Sequence, residues 1–235
     1  MSIRAIFFDL DDTLCDTVGS QPARARFALA RLASADPRFD LDALVADAVA
    51  AMDGQHSRRG IDHVLARLGL AGTALAAEIV ETFRSCYAPI VPTPGARDTV
   101  RRLARRYRLG IISNDEERFQ RGKLRHLGLD CFMEIVMCSD QAGARKPDPR
   151  IFTAALAAAD LSPLEAVYVG DHPLLDIAAA RGVGLWTVWF NPQGAPFPDD
   201  LPPPHAEVRA LTDLPAALAA LSAESEGSDA PDAEA

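Results

Sequence analysis

At 235 residues and 49% hydrophobic, the chain can bury the core of one large domain, or of a domain carrying a smaller one, and it is too long for a small disulfide-stapled scaffold. Its net charge of -9 disfavours nucleic acid as a partner, although five of the acids (Glu224, Glu226, Asp229, Asp232, Glu234) lie in the base-free last 14 residues, part of a Ser-, Ala-, Gly- and Pro-containing stretch that predicts a disordered tail over 222–235. The four cysteines have no metal-ligand or redox spacing, no apolar run reaches the roughly 18 residues of a membrane span, and Asp9 follows too soon after Ile3 for a secretory leader, so a soluble cytoplasmic protein with ordinary buried thiols is expected.

In chain order, Ile3 to Phe8 predicts a first strand, apolar at nearly every position as strands covered on both faces are. The next strand is too far away for a single crossover helix, so something is inserted. Residues 16–89 read as amphipathic helices, through Phe27, Leu29 and Leu32, then Leu41, Leu44, Val45, Ala48 and Val49, then Ile61, Val64, Leu65 and Leu68, and predict a helical cap domain. Pro89, Pro92 and Pro94 before Gly95 mark a hinge back into the core, which comprises 1–15 and 90–221. Ala96, Val100, Leu103 and Tyr107 form one helix face, and the arginines around them read as a solvated face rather than a binding patch. Strands follow at Leu109 to Ser113, Glu134 to Cys138, Ala166 to Gly170 and Leu185 to Phe190. Helices start at Asp148-Pro149 and at Pro173, the latter stopped by Gly182. Strands alternating with helices predict an α/β fold with a doubly wound parallel sheet.

The chemistry gathers at the strand ends. Ile6-Phe7-Phe8 runs into Asp9-Leu10-Asp11-Asp12-Thr13, at the carboxyl end of a strand, where open parallel sheets present their ligands. Carboxylates so close repel one another unless a cation sits among them, and Asp9 and Asp11, two apart on extended chain, face one site. Gly170-Asp171 with Asp176 repeats the pattern; helix capping would explain that pair equally well, whereas together with the first group it predicts an all-oxygen site suited to magnesium. Ser113-Asn114 offers a hydroxyl and free amides to phosphate oxygens. Of 24 basic residues only Lys123 and Lys146 are lysines, so Lys146 in Arg145-Lys146-Pro147 marks a place where a compact ammonium is required.

These segments resemble the haloacid dehalogenase superfamily: Asp9-Leu10-Asp11-Asp12-Thr13-Leu14, Ser113 after an apolar strand, Lys146-Pro147, and Gly170-Asp171 with Asp176, in that order. Asp12 stands where the family more commonly has glycine. The resemblance implies a Rossmann-like core with an inserted cap, similar to phosphoglycolate phosphatase- and nucleotidase-type enzymes. It implies a magnesium-dependent phosphatase acting on a small phosphorylated metabolite through an aspartyl phosphate, with Asp9 as nucleophile and Asp11 as acid and base. On the same resemblance the metal ligands would be Asp9, Asp171 and the backbone carbonyl of Asp11; Thr13 would orient the first loop and belong with Ser113 and the Asn114 amide to the phosphate-binding set, Lys146 would neutralise charge as a catalytic residue, and Asp176 would hold Lys146 or a metal water.

The rival readings are a 2-haloacid dehalogenase, which needs neither a metal nor an acid at position 11; a phosphonatase, whose cap lysine is missing here; a phosphomutase; and a non-catalytic binding protein. Substrate choice is expected in the cap, where His56, Arg58 or Arg59 of the polar loop 53–60 either reaches the substrate or is simply solvated. Trp186 and Trp189 read as core packing and Cys15 carries no role.

Overall fold

The computed structural model describes residues 2–52 and 58–227, in two compact units, Asp16–Val91 and the remainder of the chain. No helix among the described residues is long and apolar enough to cross a membrane.

Strand β1 (Ala5–Phe8) opens the core, and the inserted unit follows as α1 (Thr17–Ala35), α2 (Leu41–Met52), α3 (Arg59–Arg67) and α4 (Ala74–Ser85). The Asp16 carboxylate caps α1 by accepting from the Gly19 amide. The unit's apolar core takes Ala25, Ala28, Leu29 and Leu32 from α1, Leu44, Val45, Ala48 and Met52 from α2, Ile61, Val64 and Leu65 from α3, and Ile79 and Phe83 from α4. Phe27, expected on the buried face of α1, is 64% exposed, because it lies two positions from Leu29 and two does not match the helical repeat. Arg24 is buried within the unit, stacked 4.5 Å over the Phe83 ring and donating to the Phe83 carbonyl.

Of the polar loop expected over 53–60, residues 53–57 lie outside the described residues; Arg58 stands at the N-cap position of α3 without a side-chain cap and pairs with Asp62, and Arg59 and Gly60 are helical. Gly60 is there for proximity, since a Cβ on it would lie 2.0 Å from the Ala48 carbonyl oxygen of α2.

The core continues with α5 (Ala96–Leu103), β2 (Arg108–Ser113), α6 (Glu117–Leu127), β3 (Ile135–Cys138), α7 (Ser139–Ala142), α8 (Pro149–Ala159), β4 (Ala166–Gly170), α9 (Ala179–Val183), β5 (Trp186–Phe190), β6 (Ala206–Val208) and α10 (Leu214–Gly227). All six strands pair in parallel, in the order β3-β2-β1-β4-β5-β6. The order reverses beside β1, so the carboxyl ends of β1, β2 and β4 surround the crevice where doubly wound sheets bind ligands. Phe7, Ile112, Tyr168 and the α8 residues Ile151, Phe152, Ala155 and Leu156 fill one side of the sheet.

Beyond shifts of one or two residues at four strand starts and at the cap's end, which falls at Val91, three features differ from the sequence expectation. Strand β6 is short, on the sheet edge and without an apolar run, so no pattern announced it. The helix after Pro173 ends not at Gly182 but at Gly184, which takes the left-handed conformation at φ 94°. Helix α10 runs to Gly227, six residues beyond the 221/222 boundary, because the Ala-rich segment continues the helix whose Leu214, Leu218 and Leu221 are buried.

Candidate active site

Sheet pairing persists one residue past β1, where the Asp9 amide donates to the Val169 carbonyl. The chain then turns: the Leu14 and Cys15 amides both donate to the Leu10 carbonyl, and the Asp12 amide donates to Cys15. Asp12 sits in the left-handed region at φ 59°. That explains why glycine suits the position, and an aspartate tolerates it better than a bulkier residue does.

The turn places Asp9 against Lys146, whose Nζ donates to Asp9 Oδ1 at 2.7 Å, to Asp176 Oδ1 at 2.6 Å and to the Tyr168 hydroxyl at 3.0 Å. Asn114 holds the lysine by its backbone, accepting from the Lys146 amide and donating to its carbonyl. The Lys146-Pro147 peptide is cis. Asp176 reaches back through a wide turn after β4, in which the Asp176 and Ile177 amides both donate to the His172 carbonyl and Asp176 Oδ2 accepts from the His172 amide at 2.9 Å. Gly170 makes room: a Cβ there would lie 2.5 Å from Asp176 Cγ. Thr13 donates its hydroxyl to Asp171 Oδ1 at 2.9 Å, and the Trp189 indole donates to the Asp171 carbonyl at 2.7 Å.

Asp9, Asp171 and Asp176 each bring a carboxylate oxygen within 4.8 Å of the others. A single ammonium cannot balance three acids in a buried place, and the deficit falls on the acids. Burial, then Asp176 and Asp9, push Asp171 up to about 8. Burial, opposed by Lys146 but reinforced by Asp176 and Asp11, raises Asp9 to about 6. Burial opposes the charge on Lys146, yet Asp176 and Asp9 hold its ammonium above the ordinary lysine value. Such a cluster is short of positive charge, and its donors are hard oxygens, the chemistry of magnesium. Because Asp176 is already engaged by Lys146, Tyr168 and the His172 amide, Asp9 and Asp171 are the side chains with capacity for an ion.

Asp11 stands outside that cluster. Its Oδ1 accepts from Lys123 Nζ, and its Oδ2 accepts from Gln120 Nε2 at 2.8 Å. The same Gln120 amide donates to Ser113 Oγ at 2.6 Å. Gln120, Lys123, Tyr168 and Trp189 were not identified from the sequence. Lys123 carried the same signal as Lys146, being the other lysine in a chain that otherwise uses arginine.

A family model described as haloacid dehalogenase-like hydrolase matches residues 3–184. The chain is 35% identical over 232 residues to the glyceraldehyde 3-phosphate phosphatase of Pyrococcus furiosus, covering 97% of this chain and 96% of that one. It is 35% identical over 194 residues to the enzyme of the same name from Pyrococcus abyssi, covering 80% and 82%. The crystal structure of a 2-haloacid dehalogenase from Pseudomonas syringae superposes with a TM-score of 0.70 at 32% identity, covering 93% of this chain and 99% of that one. The chain belongs to the haloacid dehalogenase-like hydrolases, as an enzyme whose full-length relatives include phosphatases.

Proposed function

We propose that the protein is a magnesium-dependent phosphatase of small phosphate esters in which Asp9 is the nucleophile. The observation that carries this reading is the separation of two kinds of carboxylate: Asp9 and Asp171 lie in the cation-deficient cluster, whereas Asp11 is held apart from it, on the side of Ser113. A dehalogenase acting on a carbon–halogen bond has no use for that second acid or for a cation.

Magnesium would be held by Asp9, Asp171 and the Asp11 carbonyl, and when bound it offsets the charge of the phosphoryl oxygens. Lys146 aims Asp9, and Ser113 with the Asn114 amide receives phosphoryl oxygens. An Asp9 oxygen bonds to phosphorus as the ester P–O bond breaks, and Asp11 passes its proton to the departing oxygen. Asp11, now a carboxylate, takes a proton from a water whose oxygen attacks the same phosphorus, releasing phosphate and restoring Asp9. Thr13 holds Asp171, and Asp176 holds Lys146. The names of the Pyrococcus relatives place glyceraldehyde 3-phosphate first among the esters to try.

The 32%-identical structure keeps 2-haloacid dehalogenation as the second reading. Phosphate release from p-nitrophenyl phosphate and glyceraldehyde 3-phosphate is expected to require magnesium and to vanish in Asp9→Asn. Turnover surviving in that variant refutes the nucleophile, and halide release from a 2-haloacid without any phosphate release selects the second reading.

A further inference from the structure

We propose that Gln120 and Lys123, one turn apart on α6, are positioning residues that aim the Asp11 carboxyl at the leaving oxygen and tie it to Ser113. The inference rests on the phosphatase reading above and adds to it a pair of residues outside the four sequence motifs.

Both side chains are buried, Gln120 at 0% and Lys123 at 3% exposure, on a helix whose Arg118 and Arg121 make ion pairs nearer the surface. The three-residue spacing puts them on one face, and between them they engage both Asp11 oxygens. A carboxylate offers acceptor positions on both oxygens, so fixing one on each restricts the group's rotation.

The Gln120 amide has a single workable orientation. Its NH2 donates both to Asp11 and to Ser113, whereas its carbonyl oxygen is buried without a hydrogen-bond partner among the described residues. A buried acceptor left unsatisfied is uncommon and calls for a reason. Here the reason is that reversing the amide would satisfy no better and would turn a carbonyl toward a carboxylate. The residue is kept to donate twice, once to the acid and once to the phosphoryl-binding hydroxyl. Lys123 adds a compact ammonium in place of the planar fork of the arginine that the chain otherwise uses. Each of the two lysines thus grips one aspartate of the first loop, Lys146 the nucleophile and Lys123 the acid.

A positioning role and a merely structural one separate by leaving group. The p-nitrophenolate ion departs without a proton, whereas the alkoxide of glycerol phosphate must receive one, and kcat/KM reports the steps through loss of the leaving group. Lys123→Met and Gln120→Met, with magnesium present, are expected to lose kcat/KM for glycerol phosphate on the order of 10-fold to 100-fold more than for p-nitrophenyl phosphate, a pattern expected more strongly in Asp11→Asn. Equal losses on the two esters overturn the inference while leaving the phosphatase reading intact. A wild type inactive on both esters removes that reading, and this inference with it. If Lys123→Met fails to fold by circular dichroism, Gln120→Met carries the comparison; if neither folds, the pair serves the fold and the inference is wrong.

Discussion

Replacing Lys146 with Met keeps the aliphatic stem and removes the ammonium that two buried carboxylates and a tyrosine hydroxyl share. Lys146, Asp9 and Asp176 are all at most 5% exposed, so water does not substitute for the lost charge. Breaking a buried ion pair by deleting one partner costs about 3–5 kcal/mol, a large share of the 5–15 kcal/mol typical of a domain. With a urea slope of 1–3 kcal/mol/M, the midpoint should fall by roughly 2 M. Much of that loss is repulsion between the acids left behind, so neutralising one of them should recover part of it. The double variant Lys146→Met/Asp176→Asn is expected to be about 1–3 kcal/mol more stable than the sum of the single losses predicts. Urea unfolding in EDTA, which keeps a divalent cation from replacing the ammonium, measures this through the fluorescence of Trp186 and Trp189, both in the core unit. A Lys146→Met loss below about 1 kcal/mol, or additivity within about 0.5 kcal/mol, refutes the picture of one ammonium balancing an over-acidic cluster.

Gly60→Ala decides between loop and helix contact by sign. In a flexible loop the change stabilises by about 0.4–1 kcal/mol through the unfolded chain, whereas the 2.0 Å overlap with the Ala48 carbonyl predicts a loss of about 1–3 kcal/mol or more in urea unfolding. His205 predicts a pH effect on stability. Burial, then the charge of Arg181, depress its imidazole to about 4, and its Nδ1 accepts the Thr187 amide. Between about 4 and the ordinary value of 6.5 the unfolded chain binds more protons than the folded one, so this contribution is present above 6.5 and is lost as pH falls through that window. Solvent still reaches part of the residue and screens it, which keeps the effect below about 1 kcal/mol; His205→Gln should flatten melting temperature against pH there, and an unchanged slope contradicts the assignment.

The sheet was legible because its strands are buried on both faces: Ala166–Gly170 occupies the span expected, and the other four expected strands differ by at most two residues at their starts. What escaped was set by tertiary contact. Strand β6 has no apolar run because it is an edge, and Gly60 looked like a loop breaker because nothing local says that a neighbouring helix carbonyl lies against it. The carboxylates were readable because acids recur after two apolar strands, where their mutual repulsion calls for a cation, yet their partners sit where composition hides them. Tyr168 is one more aromatic in a core strand, and Asn114 clamps a lysine thirty-two residues away by its side chain rather than offering substrate only its amide.

Lys123 is the instructive case. Scarcity of lysine was evidence at Lys146 because that residue stood in a loop with a motif around it. At Lys123, within Arg-Gly-Lys-Leu-Arg-His, no motif stands beside the same scarcity. Periodicity resolves it: Phe119, Gln120, Lys123, Leu124 and Leu127 recur at helical spacing and are all buried, so Gln120 and Lys123 belong to the apolar stripe of α6. A buried lysine inside an apolar stripe needs an acid to meet, and of the two first-loop acids outside the cation cluster, Asp11 and Asp12, the buried one is Asp11.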